Sequence, residues 1–187
     1  MKIFVAGAKS QNVLDSAVKQ RIQNIANKGY TVLVGDCYGI DTSVQCFLKS
    51  INYSNVFVYA SNGKARNNVG NWQVKSIAVP MSVKGFDFYK QKDIAMAKDA
   101  DYGFMIWDGK SKGTLNNMIN LLLQDKPVLL YFVNEHKMVT LKTLEELEGF
   151  VSTLEEATNK LFHSLLSKAE TTTKVSTILT EQIKMTI

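Results

Sequence analysis

The feature that most restricts the fold is a repeated order of short apolar segments, each followed by glycine and then by a helical pattern. Residues 2–6 (KIFVA) end at Gly7, and residues 30–34 (YTVLV) end at Gly35. Between them, residues 11–28 place apolar side chains on one face of a predicted helix. Almost wholly apolar segments that alternate with helices are typical of a parallel sheet covered on both faces. The sequence therefore predicts an α/β protein with three layers.

The same alternation continues to residue 133 with one interruption. The remaining predicted strands are 55–59, 102–107 and 127–133, and the remaining predicted helices are about 40–50, 88–100 and 113–124. Residues 60–87 form the interruption, in which only residues 77–79 have the character of a strand. Because parallel strands are joined by right-handed crossovers, we expect a Rossmann-like parallel sheet with helices on both faces.

The composition changes after Glu135. Val139 and Thr140 are compatible with a small edge strand, and residues 143–168 predict one amphipathic helix that residues 171–173 interrupt. The apolar stripe of this helix consists of Leu144, Leu147, Phe150, Val151, Leu154, Ala157, Leu161 and Leu165. We therefore expect a Rossmann-like nucleotide-binding domain at 1–135 and a C-terminal helical extension at 136–187. The extension is expected to pack on the same domain or, as an alternative, on the partner in a homodimer.

Composition and charge bear on the partners of the chain. Hydrophobic residues make up 45% and charged residues 21%, as in an ordinary folded domain. The net charge of +5 admits an anionic partner, but the lysines are scattered and no nucleic-acid-binding motif accompanies them, so nucleic acid is not the expected partner. The chain shows neither a signal peptide nor an apolar stretch of membrane-spanning length. We expect a cytoplasmic protein.

Cysteine and histidine are too sparse to indicate a metal site. Cys37 and Cys46 lack the spacing of metal ligands, and His136 and His163 lie far from them in sequence. We expect no bound metal, and we expect Cys46 on a buried helix face as a small hydrophobic residue.

Three loops each follow a predicted strand and open a predicted helix, which places them at the carboxyl edge where such sheets bind ligands. The candidate ligand-binding residues in them are Gly7, Ala8, Lys9 and Ser10; Gly35, Asp36, Gly39, Asp41 and Thr42; and Trp107, Asp108, Gly109, Ser111, Lys112, Gly113 and Thr114. Glycine lets the backbone approach a phosphate, while lysine and hydroxyl groups bind its oxygens. Asp41 is expected to accept a ribose hydroxyl or, as an alternative, to cap its helix. The third loop lacks the GxxxxGK[ST] pattern, so a P-loop triphosphatase is not expected.

The irregular segment contains a further candidate. Residues 64–72 combine Arg66, Asn68 and Trp72, which suit a lid over a base or a phosphate. The alternative is a polar surface loop with Trp72 in the core.

These motifs resemble those of the SLOG superfamily, a Rossmann-like group that includes the lonely-guy phosphoribohydrolases and DNA-processing protein A. The start MKIFVAGAKS is similar to the first strand and glycine loop of the group, and GDCYGIDTSVQCFL resembles its second loop and helix. The segment KDIAMAKDADYGFMIWDGKSKGTLNNMINLLLQDKPVLLYF resembles the phosphate-loop half, closest to the stand-alone YspA-type branch. The resemblance spans residues 1–133 and leaves the C-terminal part uncovered.

The resemblance implies a nucleotide or nucleotide-derived ligand between these loops, with no further cofactor required. Where the phosphoribohydrolases carry an arginine and a glutamate, this chain has Lys92 and Asn117. Lys92 keeps the positive charge and remains a candidate ligand contact. A neutral amide cannot act as a general base, so hydrolysis by that route is not expected. Asp108 is the best remaining candidate for a catalytic carboxylate.

Three functions therefore follow as hypotheses. The leading one is the binding or sensing of a nucleotide-type ligand at the carboxyl edge of the sheet. The second is a nucleotide N-glycosidase or deoxyribosyltransferase-like hydrolase that uses Asp108. The third is a DNA-associated protein.

Overall fold

Strands and helices alternate along most of the chain. The computed structural model describes residues 1–186, with their side chains up to Thr171. The strands are β1 (Lys2–Gly7), β2 (Thr31–Gly35), β3 (Val56–Ser61), β4 (Gln73–Ile77), β5 (Tyr102–Trp107), β6 (Val128–Phe132) and β7 (Lys137–Leu141). The helices are α1 (Ser16–Asn27), α2 (Ile40–Ser50), α3 (Gly85–Asp99), α4 (Lys112–Leu122), α5 (Leu144–Ser152) and α6 (Glu156–Thr186). A single 3₁₀ turn, Val133–Glu135, separates β6 from β7.

The strands form one seven-stranded sheet in the order β4-β3-β2-β1-β5-β6-β7. Neighbouring strands are parallel except β6 and β7, which are antiparallel. The chain builds outward from β1 to β4 and then returns to place β5 on the other side of β1. This reversal opens a crevice at the carboxyl ends of β1 and β5, the position where open α/β sheets bind ligands.

Helices cover both faces of the sheet. Val18 and Ile22 of α1 and Val44 of α2 are buried against one face. Met96 of α3 and Leu115 of α4 are buried against the other face. The predicted α/β, Rossmann-like fold with helices on both faces is confirmed.

The predicted start of the first helix at residue 11 is wrong, because α1 begins at Ser16. Residues 11–15 cross the carboxyl edge of the sheet as a loop. The carboxylate of Asp15 at the end of this loop contacts the hydroxyl of Tyr131 and lies 3.0 Å from Nδ1 of His136. These contacts with β6 and the turn after it hold the segment out of the helix.

The strand predicted at 77–79 lies earlier in the chain, at Gln73–Ile77. β4 pairs only with β3, in a register that runs from Phe57 opposite Gln73 to Ser61 opposite Ile77. As an edge strand it carries polar, partly exposed side chains, so the apolar pattern that marks the inner strands is missing. The next helix also begins earlier than predicted, at Gly85 rather than residue 88.

The C-terminal helix differs from its prediction in two ways. It is divided, because α5 ends at Ser152 and α6 begins at Glu156. Residues 171–173 do not interrupt α6, which continues through them. The hydroxyl of Thr171 donates to the carbonyl of Ser167 one turn earlier, so this polar side chain has its hydrogen-bond partner within the helix.

The division also changes which side chains of the stripe face inward. Leu147, Val151 and Leu165 are buried against the α4 side of the sheet, but Ala157 is exposed. Phe162 and Thr158 are buried, although neither belongs to the apolar stripe predicted for one undivided helix. The stripe therefore packs on the core of its own chain, and a dimer partner stays a prediction.

Along the part of the chain that the structure describes, no helix combines the length and the apolar character needed to cross a membrane.

Candidate functional site

The crevice begins with the glycine loop after β1. The amide of Ala8 donates to the carbonyl of Ile106 at 3.1 Å, which joins this loop to the end of β5. A Cβ on Gly7 would lie 2.6 Å from the same carbonyl oxygen and 2.7 Å from Cγ2 of Ile40. Only glycine fits at this point, because the loop is pressed between β5 and the start of α2. Lys9 and Ser10 follow it and are exposed at the mouth of the crevice.

Asp108 joins the loop after β1 to the loop after β5. Its Oδ1 accepts hydrogen bonds from the amides of Lys110 at 3.0 Å and Ser111 at 2.7 Å. Its Oδ2 accepts a hydrogen bond from Oγ of Ser10 at 3.0 Å. Both carboxylate oxygens are thus engaged in shaping the crevice, as an aspartate does in a turn that precedes a helix. Asp108 therefore holds the loop after β1 against the loop after β5.

The first turn of α4 is open toward the crevice. Ser111 is its N-cap but makes no capping hydrogen bond to the helix with its side chain. Within the described residues, the amides of Lys112, Gly113 and Thr114 have no acceptor. Apart from its chain neighbours and the backbone of its own helix, no heavy atom lies within 4 Å of where a Cβ on Gly113 would stand. Free amides at a helix N-terminus attract anions, and a ligand would find open space beside Gly113.

Lysines surround this opening. Lys9 and Lys110 line a cavity of about 540 Å³, together with Ser10, Asp108 and Ser111. Lys112 lies close by, with its ammonium 4.2 Å from the centre of the Phe86 ring. The cavity therefore offers hydroxyl and ammonium donors within one space, beside the N-cap of α4, and this donor set suits phosphate.

Trp107 does not contribute its ring to the cavity. The side chain is completely buried, and its Nε1 donates to the carbonyl of Ser111 at 3.0 Å. Gly109 has a φ of 78°, which glycine adopts without strain. Its carbonyl accepts a hydrogen bond from the hydroxyl of Thr158 at 2.8 Å. Trp107 and α6 thus hold the third loop in place from behind, and Thr158 has no sequence signal that would identify this role.

The second predicted loop leads mainly into a buried cluster of charges. Asp36 directly follows β2, Asp41 lies in α2 and Lys92 in α3, and all three are almost fully buried. Nζ of Lys92 lies 2.6 Å from Oδ1 of Asp93 and 4.0 Å from Oδ1 of Asp36. A Cβ on Gly35 would overlap the carboxylate of Asp41, so glycine at this position makes room for the cluster.

The pKa values of these groups follow from burial and from their neighbours. Burial raises the pKa of Asp41 to about 7; the nearby charge of Lys92 opposes this shift, and the carboxylate of Asp93 adds to it. Burial acts to lower the pKa of Lys92, but the charges of Asp93 and Asp41 outweigh it and the net shift is upward. Burial also acts to raise the pKa of Asp36, but hydrogen bonds from Arg66 outweigh it and leave the pKa below its ordinary value.

Asp41 and Lys92 therefore lie below the surface rather than in the crevice. Asp41 accepts a hydrogen bond from the amide of Cys37 at 3.2 Å, and Thr42 donates its hydroxyl to the carbonyl of Cys37 at 2.8 Å. Gly39, with a φ of 81°, packs directly on the backbone of Lys9. Of the predicted residues in this loop, Gly39 is thus the one in contact with the crevice loops.

The segment at 64–72 is fastened to the end of β2. The guanidinium of Arg66 donates to both oxygens of Asp36, at 3.0 and 2.7 Å, and lies 4.4 Å from the centre of the Tyr89 ring. The side chain of Gln45 donates to the carbonyl of Gly35 and accepts from the amide of Val69. The segment is thus held by buried side chains.

Within this segment, the amide of Asn68 bridges its own loop by donating to the carbonyl of Trp72 at 2.8 Å. Trp72 is half-buried, and its Nε1 donates to the carbonyl of Tyr53 at 3.0 Å. The polar atoms of both side chains thus have hydrogen-bond partners within the protein, and neither needs a ligand as a partner. Gln45, which the sequence reasoning missed, is recognisable only as a fully buried glutamine.

A third cluster at the carboxyl edge was not anticipated from the sequence. The Tyr131 hydroxyl contacts the Asp15 carboxylate and lies 3.1 Å from Nδ1 of His136. The hydrogen bond from Tyr131 lowers the pKa of Asp15. The turn that carries His136 also reaches the crevice, because the side-chain amide of Asn134 donates to the carbonyl of Asp108 at 3.3 Å. Asp15 is more than 100 residues from Tyr131 and His136 in sequence, so no local motif indicates the cluster.

Asn117 and Asn116 are buried in α4. The Oδ1 atoms of both side chains have no hydrogen-bond partner among the described residues. Over the same residues, no group of three or more acidic, histidine or cysteine side chains is placed to hold a metal ion. Cys46 is exposed, which corrects the prediction that it lies on a buried face: α2 directs Ile40, Val44 and Leu48 to the sheet and leaves Cys46 outside.

Comparison with known proteins shows the fold alone. No family model and no curated protein matches the chain. Among solved structures, it is similar to DNA processing protein A from Helicobacter pylori, with a TM-score of 0.53 and 13% sequence identity. The match covers 70% of this chain and 64% of that protein, which was studied for its mode of binding single-stranded DNA. At this identity the likeness supports a Rossmann-like kind of fold and nothing finer.

Proposed function

We propose that the chain binds a nucleotide-type ligand through a phosphate group at the N-terminus of α4. The observation that carries this proposal is the open first turn of α4, in which three amides lack an acceptor within the described residues. The glycine loop after β1 faces the same cavity and adds Lys9 and Ser10. A phosphate at this position would satisfy the amides and balance the charge of Lys9; the ammonium of Lys110 already lies 3.2 Å from Oε1 of Glu155.

The same arrangement does not favour a hydrolase. A catalytic base must reach the proton that it takes from a substrate or a water molecule. Asp108 is the candidate carboxylate, and both its oxygens accept hydrogen bonds from its own and the neighbouring loop. We therefore propose binding rather than catalysis as the role of the crevice.

Substitution of Gly113 tests the proposal without disturbing the fold. Gly113→Ala places a methyl group in open space within a helix, so we expect the free energy of unfolding to rise by about 0.5 kcal/mol. Gly113→Glu is expected to leave the fold intact, because a carboxylate is favourable near a helix N-terminus. It should weaken the binding of a phosphate at least about tenfold through charge repulsion at short range. Isothermal titration with nucleoside mono- and diphosphates measures the affinity.

The matched control is Gly149→Ala in α5, an exposed helical glycine that also has open space around its Cβ. It should be as stable as Gly113→Ala and bind like the wild type. If no nucleotide binds the wild-type protein, or if Gly113→Glu binds as tightly as the wild type, the site is not at α4.

A second candidate function is the binding of single-stranded nucleic acid. The observation that favours it is the mixture of basic and exposed aromatic side chains at the carboxyl edge, where Tyr38 and Tyr89 are 61% and 43% exposed. The similar protein from Helicobacter pylori binds single-stranded DNA, which is consistent with this candidate.

Salt dependence is the expected signature of this second function. For each phosphate that a lysine neutralises, the logarithm of the affinity should fall by about 0.7 per logarithmic unit of salt. Fluorescence anisotropy with a labelled oligonucleotide at increasing salt measures the slope, and Lys9→Ala should reduce it by about one contact. Binding that is absent at low salt would contradict this candidate and leave the nucleotide proposal standing.

A further inference from the structure

A second groove continues from the crevice along the outer side of α2. One wall is the segment that leads from the glycine loop into α1, and the other is the start of α2 with the loop before it. The groove has a volume of about 750 Å³, and Lys9 and Ser10 line both this groove and the crevice. We infer that the groove is a second subsite, which takes the next nucleotide unit of a ligand whose first phosphate lies at α4. This inference rests on the proposed function and extends it from one nucleotide to at least two.

The charge of the groove fits a phosphodiester. Lys9 and Lys19 line it, and none of its lining residues is acidic. Neither lysine forms an ion pair with any residue that the structure describes. A groove with two uncompensated ammonium groups attracts an anionic chain, whereas an apolar protein segment would have to desolvate both groups without a partner.

The aromatic and apolar side chains of the groove fit a nucleobase. Tyr38 is 61% exposed and Val13 is 75% exposed, which is unusual for residues of this size in a folded domain. Phe47 is half-buried in the same groove. An exposed tyrosine ring is a platform on which any base stacks, because every base has a π-face.

The loop that presents Tyr38 is rigid. The backbone of its neighbour Cys37 is held by two hydrogen bonds. Its amide donates to the carboxylate of Asp41, and its carbonyl accepts from the hydroxyl of Thr42. On the other side, Gly39 packs on the backbone of Lys9. The opposite wall is fastened as well, because the hydroxyl of Ser43 donates to the carbonyl of Asn12 at 2.7 Å. Tyr38 is therefore exposed on a fixed support, and binding a base there costs little ordering of the protein.

The test compares ligands of increasing length. Wild-type protein is titrated with inorganic phosphate, deoxyadenosine monophosphate, the dinucleotide d(pApA) and a longer deoxyadenylate. We expect the dinucleotide to bind about tenfold or more tightly than the mononucleotide, which is the lower range for stacking one base on an aromatic ring. Tyr38→Ala should remove this gain and leave mononucleotide binding unchanged, whereas Tyr38→Phe should keep it.

Cys46 provides a direct report on occupancy, because it is exposed and lines the groove. In a Cys37→Ser background it is the sole cysteine of the chain. We expect d(pApA) to slow its alkylation by a maleimide, and deoxyadenosine monophosphate to leave the rate unchanged. Lys19→Ala should lower the affinity for the dinucleotide. Lys28→Ala, which removes the same charge at the other end of α1, should leave that affinity unchanged.

The outcomes separate the two proposals. Tight binding of the mononucleotide, with no gain for the dinucleotide and no protection of Cys46, would overturn the second subsite and leave the proposed function intact. No binding of any of the four probes would overturn both. If the longer deoxyadenylate binds more tightly than the dinucleotide, the occupant is a nucleic acid strand. Equal affinities for these two probes would instead identify a small dinucleotide, and both results support the subsite.

Discussion

Replacing Lys92 with methionine is expected to lower the free energy of unfolding by about 3–5 kcal/mol, the usual cost of removing one partner from a buried ionic group. Methionine has a similar length and no charge. The variant would leave the carboxylate of Asp93 without its cation, although Asp36 would keep Arg66. Asp41 would be protonated at neutral pH, because the charge of Lys92 no longer lowers its pKa. Equilibrium denaturation with urea at neutral pH measures the change.

The matched control is Lys75→Met, which breaks the ion pair between Lys75 and Asp99. Both side chains of that pair are about one-third exposed, so a loss of at most about 1 kcal/mol is expected. Combining Lys92→Met with Asp93→Asn should recover part of the stability, because the second change removes the uncompensated charge. A loss below about 1 kcal/mol for Lys92→Met would show that the cluster is open to water and contradict its burial.

Asp41 should make the stability of the protein fall as the pH rises. Its pKa is about 7 in the folded protein, mainly because of burial. In the unfolded chain an aspartate has a pKa of about 3.9, so the folded state binds the proton more tightly. The penalty of ionising Asp41 therefore grows between about pH 4 and pH 7 and is complete above pH 7. It amounts to about 4 kcal/mol as an upper bound, from 1.36 kcal/mol for each unit of pKa.

Asp41→Asn should remove this dependence, because asparagine stays neutral. The variant is expected to match the wild type near pH 4, where the penalty of ionising Asp41 has barely begun, and to be more stable than it at pH 8. Thermal or urea denaturation across this range gives the two profiles. The groups with lowered pKa values, Asp15, Asp36 and Asp99, act below about pH 4 and with the opposite sign, so they do not obscure the comparison.

Asp125→Asn is the control for the pH measurement. Asp125 is exposed in a turn with a φ of 56°, a conformation that asparagine also adopts readily. Its profile should run parallel to that of the wild type. Parallel profiles for Asp41→Asn and the wild type would mean that Asp41 titrates in the folded state as it does in the unfolded chain.

Much of the fold could be predicted because inner parallel strands leave a plain pattern in sequence. Residues 2–6, 30–34 and 102–107 are apolar since both faces of these strands are covered. The bounds of β4 were not predicted, because an edge strand keeps polar side chains and lacks the apolar pattern. The break between α5 and α6 was not predicted either. Apolar residues occur on both sides of the break, and their spacing suggests one continuous stripe.

The candidate site was predicted in part. The meeting of Ser10 with Asp108 follows from the rule that adjacent parallel strands end at the same edge. The buried positions of Asp41 and Lys92 could not be predicted in this way. Nothing local in the sequence shows that α2 and α3 bring these charges together beneath the surface. Thr158, Asn134 and His136 support the edge from distant parts of the chain and carry no motif.

The amino-acid sequence by itself determined the class of fold, the glycine loops and the edge of the sheet where they lie. These depend on local apolar patterns and on the close approach that glycine permits, both of which are written in consecutive residues. Only the tertiary structure decided which polar groups are buried together and which face the crevice. That distinction depends on burial and on distances between side chains that are remote in sequence, as with Lys92 and Asp36. The same burial is the main cause of the raised pKa of Asp41.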